Sequence, residues 1–202
     1  MSKGQLYIVS GPSGSGKDTV LGHLFLKHPE IKFSVSAVTR DMRPGETNGG
    51  KYNFISFDGF KYMMENDMLL EYNEYCGNYY GTPKAPVLEA IKNGYDIILE
   101  IDVNGARNIR KFMPEAISIF IMPPSFEVLK KRLAGRGTES TEIVEKRMNA
   151  AITEIKCAKE YDYIVVNDRL EDAINDLASV IIAGRNSLAR KKYLIDEVLE
   201  KC

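Results

Sequence analysis

Apolar positions along the chain recur at two spacings, and the alternation between them predicts its elements. The run Leu6-Tyr7-Ile8-Val9 predicts a strand over residues 5–9. Val20, Leu21, Leu24 and Phe25 then fall at helical spacing, predicting a helix over 16–28 stopped at His28-Pro29. Phe33–Ser36 reads as a strand, followed by a charged turn over 39–46 and the turn signal Asn48-Gly49-Gly50. Tyr52–Phe57 reads as another strand, and Asp58 as the N-cap of a short helix with Phe60, Met63 and Met64 on one face. Segments 69–72 and up to Tyr79-Tyr80-Gly81-Thr82 read as short strands. Residues 34–82 thus form a β-rich patch unlike its flanks.

Beyond it the alternation of strand and helix returns. A helix is predicted from Pro86 to Asn93, with Gly94 just past its end. Ile97-Ile98-Leu99-Glu100-Ile101-Asp102 is a nearly continuous apolar strand with acids towards its C-terminal end, the pattern of a buried parallel strand. A helix over 104–112, a strand over 117–121 and a segment 126–134 capped by Ser125 follow. After the basic loop Gly135-Arg136-Gly137-Thr138, Thr141 opens a long helix with Val144, Met148, Ala151, Ile152 and Ile155 on one face. Tyr163–Val166 is the last strand, and Leu170, Ile174, Leu177, Ala178 and Ile181 mark the inward face of the helix after it. The tail 185–202 is charged and reads as helical. The expected fold class is α/β, a parallel sheet with helices on both faces, whose ligands bind beyond the C-terminal strand edges.

Composition narrows the picture by exclusion. With 27 Lys plus Arg against 28 Asp plus Glu, the 202-residue chain has no charge excess suited to nucleic acid or an anionic membrane. Its three cysteines, Cys76, Cys157 and Cys202, show no metal spacing and read as reduced thiols of a cytoplasmic protein. No apolar run approaches a membrane span and no signal-type segment follows Lys3.

The candidate chemistry begins at Gly11-Pro12-Ser13-Gly14-Ser15-Gly16-Lys17-Asp18-Thr19. Strand, glycine loop and helix form the setting of a P-loop, in which inward-pointing amides and the helix N-terminus hold phosphates. Lys17 would reach the β- and γ-phosphates. The motif G-x-x-x-x-G-K-S/T has a hydroxyl after the lysine as a magnesium ligand, and this chain has Asp18. Asp18 can touch magnesium through water or simply favour the helix N-terminus; the second reading is preferred, with magnesium held mainly by phosphates and water.

Seven segments together carry a resemblance: GPSGSGKDT (11–19), SVSAVTRDMRPGE (34–46), GKYNFIS (50–56), LLEYNEYCGNYYGTP (69–83), ILEIDVNGA (98–106), LKKRLAGRGTE (129–139) and IVVND (164–168). In this order they resemble the guanylate kinase family over about residues 4–182. The resemblance implies a P-loop nucleoside monophosphate kinase fold over 4–184, with a core of 4–33, 86–124 and 155–184, a GMP-binding insert at 34–85, a lid at about 125–154 and a tail at 185–202. It implies transfer of the ATP γ-phosphoryl group to GMP with Mg2+; the sequence leaves monomer and homodimer both open.

The residues suit that chemistry. A phosphomonoester needs a local cationic clamp, and Arg40 and Arg43 on one turn can fork onto it, with the Tyr52 and Tyr80 hydroxyls adding donors. Guanine offers N1–H and N2–H donors that a carboxylate accepts and adenine does not present. Glu71 matches that carboxylate in the family pattern, and Ser36, Thr82 and Asp102 match the remaining base contacts. Arg136, with Arg132 and Arg147, is expected to close over the transferring phosphoryl, and Asn167 to lie near the adenine. Taken singly, an Arg–Arg turn is most often a solvated surface, Glu71 a surface acid, Asp102 a helix cap and Glu100 a structural acid. Their co-occurrence with a P-loop favours the site. Two rival readings are a kinase for another monophosphate and a non-catalytic module of the same fold that binds phosphorylated peptides.

Overall fold

The computed structural model describes residues 3–75, 77–135 and 141–200. In chain order the first elements are β1 (Leu6–Ser10), α1 (Lys17–Lys27), β2 (Lys32–Phe33), β3 (Ser36–Val38), β4 (Tyr52–Phe54), α2 (Phe57–Glu65), β5 (Leu69–Tyr75) and β6 (Asn78–Pro83). Next come α3 (Lys84–Lys92), β7 (Ile97–Glu100), α4 (Val103–Phe112), β8 (Ile117–Met122), α5 (Phe126–Ala134) and α6 (Thr141–Lys156). A 3-10 turn (Cys157–Glu160), β9 (Tyr163–Val166), α7 (Leu170–Arg185), α8 (Leu188–Lys191) and α9 (Tyr193–Leu199) complete the chain.

One sheet runs in the order β2-β7-β1-β8-β9, and all its pairings are parallel. Alternation along β1 divides the core in two. Tyr7 and Val9 pack with Leu21 and Leu24 of α1 and with Ile174, Leu177 and Ile181 of α7. Leu6 and Ile8 pack on the other face with Val87 of α3 and Ala106 and Ile109 of α4. A sheet buried on both faces needs apolar residues at successive positions, hence the unbroken apolar runs of β1 and β7.

The insert is a second sheet in the order β4-β3-β6-β5. α2 buries Phe60 against it, with Ala37 and Leu69. The strand expected at 33–36 is two strands in two sheets. Phe33 aligns with Ile98 in the large sheet, and Ser36 with Tyr52 in the small one. Period-2 alternation continues through the crossing, so nothing in the pattern marks the change of partner.

Other expected boundaries shift for local reasons. Ser56, not Asp58, caps α2: its backbone is still extended and its hydroxyl accepts from Gly59 N at 3.1 Å. Asp58 sits in the first turn of that helix, where a carboxylate suits the dipole. α3 starts at Lys84, directly after β6, and β7 ends at Glu100 because Asp102 already caps α4. The tail is helical as expected, and its start is docked. Arg185 and Arg190 both pair with the buried Asp96, the second at 3.0 Å, and Arg190 donates to Lys3 O at 2.6 Å. Among the described residues, no helix is long and apolar enough to cross a membrane.

Candidate active site

The loop between β1 and α1 stands at the C-terminal edge of the large sheet. Ser15 N donates to Pro12 O at 3.0 Å, closing the turn. Gly16 has φ +83°, a left-handed conformation, and a Cβ there would lie 2.3 Å from Asn167 Nδ2. At Gly11 a Cβ would lie 2.5 Å from Ile121 O, so β8 presses directly on the loop. No side chain caps the N-terminus of α1. Its first amides therefore lack a side-chain acceptor, the state in which a helix N-terminus is available to an anion.

Lys17, the first residue of α1, donates to Glu100 Oε1 at 2.6 Å. Glu100 ends β7 and is buried, with a side-chain exposure of 7%. Its other oxygen, Oε2, lies 2.8 Å from Lys51 Nζ. Lys51 also donates to Asp18 Oδ1 at 2.8 Å. Burial alone would pull the Lys51 ammonium down, but Glu100, Tyr52 and Asp18 together hold it above the ordinary lysine range. Two ammonium groups therefore share one buried carboxylate, one from the P-loop and one from the insert.

Three expected residues brace the loop. Asn167, buried just beyond β9, donates Nδ2 to Ser15 O at 2.8 Å. Arg132 of α5 donates to Ser15 O at 3.2 Å and to Asn167 O at 3.0 Å. Arg147 of α6 donates to Ser13 Oγ at 2.8 Å. Asn167, expected near adenine, and Arg132, expected as a closing lid arginine, are both tied to the backbone of the loop, and Arg132 also to the backbone just beyond β9. The polar carbonyl of Ser15, drawn inward by the turn, is what holds them. Arg136 lies outside the described residues, as do Cys76 and Cys202.

Across the cleft, the insert brings the expected clamp together. Both terminal nitrogens of Arg40 bond the Glu46 carboxylate, at 2.7 and 2.6 Å. The Arg43 amide also donates to Glu46, at 2.8 Å. These bonds, that to Arg40 first, hold Glu46 well below the usual carboxylate range. The Arg40 guanidinium lies over the Tyr52 ring at 5.1 Å, and the Tyr52 and Tyr80 rings meet edge on at 6.2 Å. The Arg43 side chain is exposed on the same turn.

Glu71 sits in β5 where the register shifts after Leu69, which sets it opposite Thr82 of β6. Thr82 Oγ1 donates to Glu71 Oε1 at 2.5 Å. The other carboxylate oxygen lies against α4, where a Cβ on Gly105 would come within 2.8 Å of Oε2. Only a glycine permits that approach. Burial raises the Glu71 carboxyl to about 7, the Thr82 hydrogen bond opposing it and the nearby Asp102 charge adding to it. No cation pairs with Glu71 among the described residues. Asp102 caps α4, its Oδ1 accepting from Asn104 N and Gly105 N at 2.8 Å each. Its Oδ2 accepts from Asn73 at 2.9 Å. Ser36, half-buried, donates its amide to Lys51 O at 3.3 Å.

Reading the sequence missed Lys51, Glu46 and Gly105 as site residues. A carboxylate at position 18, where a hydroxyl is usual, signals a compensating cation. Its partner lies 33 residues away in another lobe, so spacing could not name it.

A P-loop at the edge of a parallel sheet, faced by an inserted lobe with an arginine–tyrosine clamp and a buried carboxylate, defines a nucleoside monophosphate kinase fold and site. Comparison with known proteins narrows the class. The family model described as guanylate kinase matches residues 3–184. The guanylate kinase of Desulfitobacterium hafniense is 45% identical over 195 residues, spanning 96% of this chain and 98% of that one. That of Carboxydothermus hydrogenoformans is 47% identical, spanning 96% of each. The crystal structure of guanylate kinase from Anaplasma phagocytophilum superposes with a TM-score of 0.78 at 31% identity, covering 94% of this chain and 90% of that one. The chain belongs to the guanylate kinase family.

Proposed function

We propose that this chain transfers the γ-phosphoryl group of ATP to GMP, giving ADP and GDP, and that residues 34–85 form the GMP-binding lobe. The observation that carries the base specificity is Glu71, a buried carboxylate without a cation partner among the described residues, fixed by Thr82 and opposed by Gly105. A carboxylate so placed accepts from guanine N1–H and N2–H together. A base without those donors leaves it desolvated and unpaired, a penalty that discriminates strongly.

In the transfer, the bond from the γ-phosphorus to its bridging oxygen breaks, and its electron pair stays on the ADP β-phosphate. A bond forms from a GMP phosphate oxygen, already a nucleophile, so no general base is needed. Lys17 and the α1 amides hold the ATP phosphates. Arg40, Arg43, Tyr52 and Tyr80 hold the GMP phosphate, with Glu46 giving up Arg40 as it arrives. Arg132 and Asn167 keep the loop rigid, and Arg147 stands at its rim. Glu100, the buried hard oxygen donor shared by Lys17 and Lys51, suits Mg2+. Held there through water and phosphate oxygens, Mg2+ would neutralise charge on the ATP phosphates.

The test is a coupled assay of ADP formation with ATP, Mg2+ and each of GMP, AMP, CMP and UMP, beside Lys17→Ala and Glu71→Ala. Turnover with GMP alone, lost in both variants, is expected. Turnover with another monophosphate refutes the role given to Glu71. Binding of GMP without ATP, and no turnover, would favour the phosphopeptide-binding module.

A further inference from the structure

We propose that Lys51 is a second phosphoryl-binding cation of the active site, carried by the insert and held in place by Asp18. The inference rests on the kinase reading above and adds a catalytic residue to it.

Three observations place Lys51 at the point of transfer. It shares the Glu100 carboxylate with Lys17: the two ammonium groups take opposite oxygens, at 2.6 Å for Lys17 and 2.8 Å for Lys51. Lys17 is the P-loop lysine, so Lys51 is one carboxylate away from the donor phosphates. On its other side, Lys51 directly precedes Tyr52 of the acceptor clamp, with its ammonium 5.8 Å from the Tyr52 ring. Lys51 thus stands between the two phosphate sites. Finally, its second partner is Asp18, at 2.8 Å. The Asp18 side chain is 74% exposed, so packing gives no reason for a carboxylate there. Fixing a lysine that reaches across from the other lobe does.

The charges add up to a purpose. Lys17, Lys51, Asp18 and Glu100 sum to zero in the ligand-free chain. A loose phosphoryl-transfer transition state spreads charge over three equatorial oxygens, and fixed cations beside it stabilise the transfer. As phosphates enter, their oxygens replace carboxylate oxygens as partners of Lys51, while Asp18 keeps the side chain from retreating to solvent. Lys51 touches the phosphoryl group and Asp18 acts through Lys51 as a positioning residue.

The test uses the full chain with Lys51→Met, Lys51→Arg, Asp18→Ser and the double variant Lys51→Met/Asp18→Ser. Each is assayed for kcat and KM with both substrates, for melting temperature, and for binding of P1-(5′-adenosyl)-P5-(5′-guanosyl) pentaphosphate, whose phosphate chain spans both sites. Lys51→Met should lower kcat about 10- to 100-fold, the scale of a charge-assisted hydrogen bond. KM for GMP and for ATP should change less than about 3-fold, and affinity for the pentaphosphate should fall by a factor similar to kcat. Lys51→Arg should recover part of both. Asp18→Ser should cost less than Lys51→Met and add nothing in the Lys51→Met background. If Lys51→Met keeps kcat and pentaphosphate affinity within about 3-fold of wild type, or if Asp18→Ser costs the same in both backgrounds, the proposal is wrong. A folded wild-type chain that fails to phosphorylate GMP overturns the kinase reading instead.

Discussion

Glu71→Gln should make the protein more stable and a much poorer GMP kinase, and both effects follow from one carboxylate. The substitution keeps the shape and keeps an oxygen to accept from Thr82 Oγ1, now at 2.5 Å from Glu71 Oε1. It removes a charge that burial disfavours, raising the carboxyl from 4.5 to about 7. The sign follows from proton uptake. Between the unfolded value and the folded one the native state holds a proton that the unfolded chain has lost, so stability falls as pH rises through that window and levels off above it. Two to three pKa units correspond to about 3 kcal/mol at pH 8, at 1.36 kcal/mol each. For a chain of this length that is a rise in melting temperature of several degrees, at about 2–4 °C per kcal/mol. At pH 4.5 the gain should nearly vanish. GMP, by contrast, loses a charged acceptor and meets an amide donor. Two hydrogen bonds to a charged group, each about 1.5–3 kcal/mol, put the loss in kcat/KM at about 10²–10⁴-fold. Below pH 7 the wild type should also lose GMP affinity as Glu71 protonates, a dependence that Glu71→Gln lacks while titration of the GMP phosphate itself remains. Melting curves at pH 4.5 and 8, with steady-state kinetics between pH 5.5 and 8, measure all three. Equal melting temperatures at pH 8, or kcat/KM for GMP within about 3-fold of wild type, would refute the reasoning.

Other substitutions probe the remaining supports. Gly105→Ala drives a Cβ to 2.8 Å from Glu71 Oε2, so KM for GMP should rise at least about 10-fold with KM for ATP unchanged, as initial-rate kinetics would show. Gly16→Ala meets both a φ of +83° and Asn167 Nδ2 at 2.3 Å. It should lower the melting temperature and weaken ATP binding at least about 10-fold by calorimetry, because the loop must rearrange. Asp96→Ala removes the buried carboxylate shared by Arg185, Arg190 and the Gln5 N–H, which bonds it at 2.9 Å, and leaves Arg185 with Glu30 and Arg190 with Lys3 O. Breaking a buried pair of this kind costs about 3–5 kcal/mol. The melting temperature should therefore fall by about 10 °C, and limited proteolysis should release the tail. A tail as resistant as in wild type would show that Asp96 does not hold it.

Much of this protein was legible along the chain because the relevant physics is local. Doubly buried strands must be apolar at successive positions, so β1 and β7 announce themselves. A phosphate cradle needs glycines and a lysine in consecutive order, so the P-loop is a word in the sequence. Arg40 and Arg43 are three residues apart on one turn, so their proximity is local, while the Arg40–Glu46 pair that the turn closes on is also within six residues. What the tertiary structure alone decided lies where distant segments meet. Phe33 and Ser36 belong to different sheets, although nothing in their pattern separates them. Asn167 and Arg132 turn inward because the Ser15 carbonyl, drawn inward by the loop, needs donors, which the end of β9 and α5 bring. Glu71 becomes a buried carboxyl with a raised pKa only when a register shift faces it to Thr82 and Gly105 lets α4 close over it. Asp18, an anomaly when read along the chain, acquires its partner only when the insert folds across the P-loop and sets Lys51 beside it and Glu100. Hydrophobic period and loop chemistry are properties of neighbouring residues. Desolvation and ion pairing depend on whatever the fold places within a few ångströms, and sequence separation carries no record of that.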